Sequence, residues 1–167
     1  MKKMTEKALS EAFAGESMAH MKYLAFGDIA DREGKKNIAR LFRATAYAEQ
    51  VHATNHARHL GLLKTTEDNL ETGIQGENFE VDEMYPAYHA VAHLQNEKGA
   101  LQSIHYALEA EKIHEKLYSS AKEEVKAGND MDIDEIYICP VCGFTHIGEP
   151  PEKCPVCNVP KEKFKIF

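Results

Sequence analysis

Two Glu-x-x-His pairs, Glu49…His52 and Glu111…His114, constrain this chain more than any other feature. Each lies in a run with helical apolar spacing. The first run is Ile38, Phe42, Thr45, Glu49, His52; the second is Ile104, Leu108, Glu111, His114. Residues three or four apart share one face of a helix, so the acids and imidazoles point where the apolar side chains point. An acid on such a face is costly unless something compensates its charge. Glu16 and Glu77 occupy similar stripes, 33 residues before Glu49 and 34 before Glu111. Each half of the chain thus reads as a helix with Glu followed by a helix with Glu-x-x-His. One such pair is common and means little; two at matched spacing predict an all-α four-helix bundle holding two metal ions near a pseudo-twofold axis.

The helices follow from period and punctuation. Residues 5–33 form the first, with Leu9, Ala12, Glu16, Ala19, Tyr23, Phe26 and Ala30 inward and Gly34 at its end. The second spans 36–60 and is capped by Gly61. Residues 62–73 are longer than a tight hairpin needs and suggest a crossover. A third helix over 74–95 carries Ile74, Glu77, Val81, Met84, Tyr88 and Val91 inward, with Glu80 one turn after Glu77. Pro86 predicts a kink or break in it. Asn96 reads as the N-cap of a fourth helix that runs to about Ala127, where Gly128-Asn129-Asp130 stop it. The expected domains are a helical 1–130, a linker 131–135 and a small 136–167.

Composition narrows the function. The net charge of -7 argues against a nucleic-acid surface. No apolar run approaches the ~18 residues of a membrane span. No apolar stretch follows the basic residues after Met1, so no signal peptide is expected and the cytoplasm is the expected location. All four cysteines lie in the last 29 residues, as two Cys-x-x-Cys pairs, and in a reducing compartment this reads as metal ligation.

Glu16, Glu49, His52, Glu77, Glu111 and His114 can hold two iron or manganese ions, and by ligand type zinc as well. Glu80 is a seventh candidate. His56, His59, His89, His93 and His105 read as surface or packing residues, since no glutamate of a zinc-protease motif separates the i, i+4 pairs. The role of His20 is open. Tyr23 and Tyr85 are either core aromatics or hydrogen-bond donors to the carboxylates. In the tail, Cys139-Pro140-Val141-Cys142-Gly143 and Cys154-Pro155-Val156-Cys157-Asn158 are near-copies, with eleven residues between the two cysteine pairs. Gly143, and less easily Asn158, can take the left-handed conformation such a knuckle needs. About 30 residues cannot support their own core, so a metal must hold them together. Four thiolates suit zinc or iron. Tyr137, Phe144, Phe164 and Phe167 supply an apolar surround.

These residues together resemble a rubrerythrin across nearly the whole chain. The matching stretches are Ala14-Gly15-Glu16-Ser17, Glu49-Gln50-Val51-His52-Ala53, Gly76-Glu77-Asn78-Phe79-Glu80, Glu83-Met84-Tyr85-Pro86 and Glu111-Lys112-Ile113-His114-Glu115-Lys116; the tail is similar to rubredoxin. The resemblance implies a ferritin-like di-iron bundle joined to a mononuclear iron site held by Cys139, Cys142, Cys154 and Cys157. It implies Glu16 terminal on one iron, Glu77 and His114 on the other, and Glu49 and Glu111 bridging. Glu80 and His52 would alternate on the first iron as its oxidation state changes, and Tyr23 and Tyr85 would support the carboxylates. It further implies reduction of hydrogen peroxide in oxidative-stress defence, with a reductase or rubredoxin as electron donor and a homodimer, in some members with exchanged helix pairs. Asn158 departs from the usual glycine of the second knuckle, and His20 leaves room for a modified coordination sphere.

The resulting expectation is a peroxidase in which the cysteine-bound iron resupplies electrons one at a time. The rival is a ferroxidase or iron-storage protein with a structural zinc tail. A five-residue linker reaches ~17 Å, and the end of a ~45 Å helix lies ~20 Å from its midpoint. The tail is therefore expected to serve a neighbouring chain's centre in a head-to-tail dimer.

Overall fold

A computed structural model describes residues 1–167. The elements are α1 (Lys3–Arg32), α2 (Lys36–Leu60), α3 (Thr66–Phe79), a π turn (Glu80–Met84), α4 (Tyr85–Leu94), α5 (Lys98–Lys126), β1 (Ile136–Ile138), β2 (Thr145–Ile147) and β3 (Lys165–Ile166), with a 3₁₀ turn at Lys161–Lys163. The chain divides into two compact units, Met1–Lys64 and Thr65–Phe167.

The helix ends share one device. After α1, α2, α4 and α5 a residue with positive φ turns the chain back, and a 6→1 amide bond closes the turn: Lys35 N–H to Ala30 O, Leu62 N–H to Ala57 O, Glu97 N–H to Ala92 O and Asn129 N–H to Glu124 O. The turning residues are Gly34, Gly61, Asn96 and Gly128. These bonds satisfy carbonyls that a helix end leaves open. Asn96 is therefore the stop of α4, with φ 58°, and not the N-cap of the next helix; Glu97 takes that place.

The third helix starts eight residues before the expected 74, so the irregular connection predicted over 62–73 shortens to residues 62–65. Thr65 caps α3 by accepting the Asp68 N–H at 3.2 Å, and Glu67 and Asp68 complement the helix dipole in the first turn. The polar run Thr-Glu-Asp-Asn imitates a loop, while its physical role is to begin a helix. The irregularity expected at Pro86 is real, and its form is a π turn just ahead of the proline. There the Tyr85 N–H reaches back five residues to Glu80 O. One extra residue in the turn accommodates the ring that cannot donate.

In the first unit, α1 and α2 pack through small residues. Ala39 and Ala46 are fully buried, Ala53 and Ala57 nearly so, and Gly27 faces them from α1. A Cβ on Gly27 would lie 3.4 Å from Ala39 O and 3.3 Å from Arg43 Cγ. Arg43 crosses to Asp28 at 2.9 Å and Asp31 at 2.5 Å. The buried seam of α2 is thus Ala39-Ala46-Ala53, one residue round from the expected stripe of Ile38, Phe42, Thr45, Glu49 and His52. Small residues permit close backbone approach, and the larger side chains are displaced to a face where Phe26, Ile38, Leu41 and Val51 stay exposed.

In the second unit, α3 and α4 lie against α5. A Cβ on Gly73 would meet the Tyr118 ring at 3.1 Å, and Lys122 pairs with Glu71. The tail forms an antiparallel sheet in the order β2-β1-β3, with Ile136 opposite Ile147 and Tyr137 opposite Ile166. Its core is Cys139, Cys142, Cys154 and Phe164, with Tyr137 and Phe144 partly buried against it as expected. Phe167 instead lies exposed at the end of the sheet, hydrogen-bonded through its backbone to Ile136.

The alanine seam makes a direct prediction. Ala46→Leu forces α1 and α2 apart and should cost about 1–3 kcal/mol in urea unfolding, whereas Met21→Ala, at an exposed position, should cost far less. Equal losses would place the packing seam elsewhere.

Candidate metal centres

The first unit gathers Glu16 from α1 with Glu49 and His52 from α2. His52 Nδ1 lies 2.9 Å from Glu49 Oε2 and 3.9 Å from Glu16 Oε1. The i, i+3 spacing on α2 aligns the pair, and Glu16 reaches across the alanine seam. Four residues after Glu16, the His20 Nδ1–H donates to the Ala46 carbonyl at 2.8 Å. His20 is therefore a clip between α1 and α2. Tyr23 packs in a ring cluster with Phe26 and Phe42, at centroid distances of 6.2 Å to each.

The second unit gathers Glu77 from α3 with Glu111 and His114 from α5. His114 Nδ1 sits 2.6 Å from Glu111 Oε2. Glu80, at the start of the π turn, adds its charge to the same place. Burial, a hydrogen bond with Glu111, and the charges of Glu111 and Glu80 raise the Glu77 carboxyl to about 7. Burial and Glu111 also raise Glu80. Tyr85 is raised by burial and then by Glu80, Glu111 and Glu77, which keeps its hydroxyl protonated beside three carboxylates. The two triads differ in exposure: the His52 side chain is 53% exposed and that of His114 28%.

The four cysteine sulfurs form the third cluster. Cys139 and Cys157 Sγ are 3.5 Å apart, and Cys142 and Cys154 Sγ 3.4 Å. A tetrahedral site with ~2.3 Å metal–sulfur bonds has edges of ~3.8 Å, so a small expansion separates the free thiols from a metal cage. Burial pushes the Cys139 thiol up, but the amides of Val141 and Cys142 and its sulfur neighbours outweigh it and hold it low. Burial raises Cys142 and Cys157. Both knuckles turn through a left-handed residue, Gly143 at φ 79° and Asn158 at φ 61°. The Gly143 N–H bonds to Cys139 O and the Asn158 N–H to Cys154 O, a matched pair.

The tail sits on its own α5, so the argument that a short linker keeps it from its own chain's ligands fails. His114 lies only twelve residues before the end of α5, ~18 Å along the axis. The connecting segment runs from Ala127 to Glu135, which is longer than the five residues counted from composition. Gly143 meets Ala110, where an added Cβ would stand 3.6 Å from the alanine's. Thr145, only 5% exposed, bonds to His114 Nε2 at 2.8 Å. Sequence reasoning passed over Thr145, because a threonine in Phe-Thr-His looks like strand filler. Its only signal is its place three residues after Cys142. Among the remaining histidines, His89 stacks on His93 and His105 tilts against Tyr106.

Carboxylate–imidazole triads on paired helices, together with a tetrathiolate knuckle, define a ferritin-like metal protein with a rubredoxin-like domain. The rubrerythrin family model matches residues 7–122, and that for the rubrerythrin rubredoxin-like domain matches 137–165. Rubrerythrin-2 of Clostridium acetobutylicum is 46% identical, over 98% of this chain and 97% of its own length. Nigerythrin of Nitratidesulfovibrio vulgaris is 37% identical, over 98% and 86%. A solved structure titled as the fully reduced, all-ferrous state of nigerythrin matches with a TM-score of 0.58 at 34% identity, over 98% of this chain and 86% of that one. The chain belongs to the rubrerythrin family. That membership supports a di-iron protein of oxidative-stress defence, in a family of general oxidoreductase character, and the donor sets point to iron. No helix is long and apolar enough to cross a membrane.

The raised Glu77 carboxyl gives a pH test. The group protonates near pH 7 when folded and near 4.5 when unfolded, so proton binding favours the metal-free fold. That contribution is complete below pH 4.5 and is lost as pH rises through about 7. Metal-free wild type should therefore lose thermal stability relative to Glu77→Gln across this window, and a saturating divalent metal should reverse the order. Parallel melting profiles for the two metal-free proteins would remove the claimed carboxylate crowding.

Proposed function

We propose that the chain is a rubrerythrin-type peroxidase that reduces hydrogen peroxide to two waters, consuming two electrons and two protons per turnover. The observation that carries this reading is the tetrathiolate knuckle seated on the helix that bears Glu111 and His114, where a thiolate-bound iron would serve as an electron source for the carboxylate site. In this reading the two triads are halves of one dinuclear centre in a helical domain 1–130, followed by a four-cysteine domain 136–167. Iron bound there would supply two electrons per peroxide, with single electrons returned from the four-thiolate site. Glu49 and Glu111 would be shared by the two ions, Glu16, Glu77 and His114 would each hold one, and Tyr85 would donate to the carboxylates. Glu80 would be the ligand in the oxidised state and His52 in the reduced one, since a hard anion is preferred at higher metal charge.

A reductase or rubredoxin is the electron donor in the cytoplasm. The exposed Phe26, Ile29, Ile38, Leu41 and Val51 are more apolar surface than a lone helix pair keeps in water, which favours a homodimer with exchanged helix pairs. Light scattering should give twice the chain mass.

Cys142→Ser tests the function. The variant should stay folded, keep its carboxylate-bound iron and be oxidised once by peroxide. Its steady-state turnover with an external reductase should collapse, by at least ~10-fold. Unchanged turnover would exclude the relay. A zinc-filled, colourless tail in protein prepared anaerobically with iron would favour storage instead. Crystal structures of oxidised and reduced protein check the Glu80–His52 exchange, which an identical ligand set in both would disprove.

A further inference from the structure

The Thr145 hydroxyl has two partners, and their chemistry fixes where the protons lie. It is 3.1 Å from the Gly143 carbonyl and 2.8 Å from His114 Nε2. A hydroxyl has one proton to give, and a carbonyl can only accept. The proton therefore goes to Gly143, and the imidazole must donate from Nε2. With Nε2 donating to Thr145, Nδ1 shares a proton with Glu111 Oε2, 2.6 Å away, and its lone pair is the one a metal held with Glu77 and Glu111 would take in place of that proton. On the other side, the peptide group that joins Gly143 to Phe144 turns its N–H to the Cys142 sulfur. The same peptide's carbonyl is the one that accepts from Thr145.

We propose that Thr145 is a positioning residue that fixes His114 as an Nδ1 ligand and closes a bridge from the Cys142 sulfur, through the Gly143–Phe144 peptide and its own hydroxyl, to the imidazole. A partner on the far nitrogen of a ligating histidine sets its tautomer and ring orientation. The local sequence is built for the contact. Gly143 carries no side chain where Ala110 approaches, its positive φ aims the peptide, and β2 buries the threonine against α5. The bridge deepens the peroxidase reading by giving the tetrathiolate site a bonded route to the carboxylates, and it rests on that reading only for the electron transfer.

The test compares Thr145→Val, which keeps the shape and removes the hydroxyl, with Thr145→Ser, which restores it. In fully zinc-loaded protein, a diamagnetic probe, the wild type and the serine variant should show a His114 Nε2–H resonance protected from water exchange. The valine variant should lose that protection. Its zinc affinity at the carboxylate site should fall ~10–100-fold, while serine stays within a few-fold of wild type. In iron-loaded protein, electron return from the tetrathiolate site should slow by a similar factor in the valine variant and recover with serine. A valine variant that matches wild type in protection and affinity overturns the proposal, as does a serine variant as impaired as valine, which would make the role one of packing. Zinc results as expected in a chain that reduces no peroxide would refute the peroxidase reading and uphold the role of Thr145.

Discussion

Carboxylates crowded together on the inner faces of helices repel one another and lose water, and the rest of this structure depends on how that cost is met. In the second unit Glu77, Glu80 and Glu111 converge with one imidazole among them. Without a cation the charge is relieved by protonation, which is why burial and its neighbours lift Glu77 to about 7. A divalent ion replaces the proton and converts repulsion into ligation. The sequence thus accepts an unfavourable apo arrangement because a bound metal reverses it. The same logic governs the tail, where four thiols stand 3.4–3.5 Å apart in pairs with little core around them.

The surrounding architecture serves to hold those groups in register. The alanine seam of α2 draws α1 close enough for Glu16 to reach Glu49 and His52, and His20 ties the two helices at Ala46. The 6→1 turns fix where each helix ends, and so where the next begins. The π turn ahead of Pro86 reorients the third helical segment at Glu80, between one ligand candidate and the tyrosine that follows. Asn96 and Pro86 act through the backbone, setting where one helix ends and how the next segment is turned.

Much of this was legible in the sequence, and the failures share one cause. The triads were readable because i, i+3 spacing leaves a helix no freedom about which face both residues share, and the cysteine knuckles because their spacing and left-handed residues repeat. What local pattern does not encode is which apolar stripe meets which. Ile38 and Phe42 outweigh Ala39 and Ala46 in hydropathy, yet the closer packing of the alanines won the helix–helix contact. The start of α3 was lost because capping residues and loop residues are the same residues. Thr145 was invisible because its meaning lies in a contact 31 positions away, made only when the tail folds back along α5.

That return of the tail joins the two kinds of metal chemistry in one chain, and it gives the small domain a place on the helix that bears His114. The central proposal is that the protein binds three irons per chain, one at the four thiolates and two at the carboxylates and imidazoles. The most direct measurement is iron per chain combined with Mössbauer spectroscopy on anaerobically loaded protein, for wild type, Glu111→Ala and Cys142→Ser. The account predicts three irons per chain, two of them spin-coupled when oxidised. The coupled pair should be lost in Glu111→Ala and the tetrathiolate signal alone in Cys142→Ser. Iron confined to the four cysteines, with the carboxylate positions empty or filled by uncoupled ions in the wild type, would contradict it.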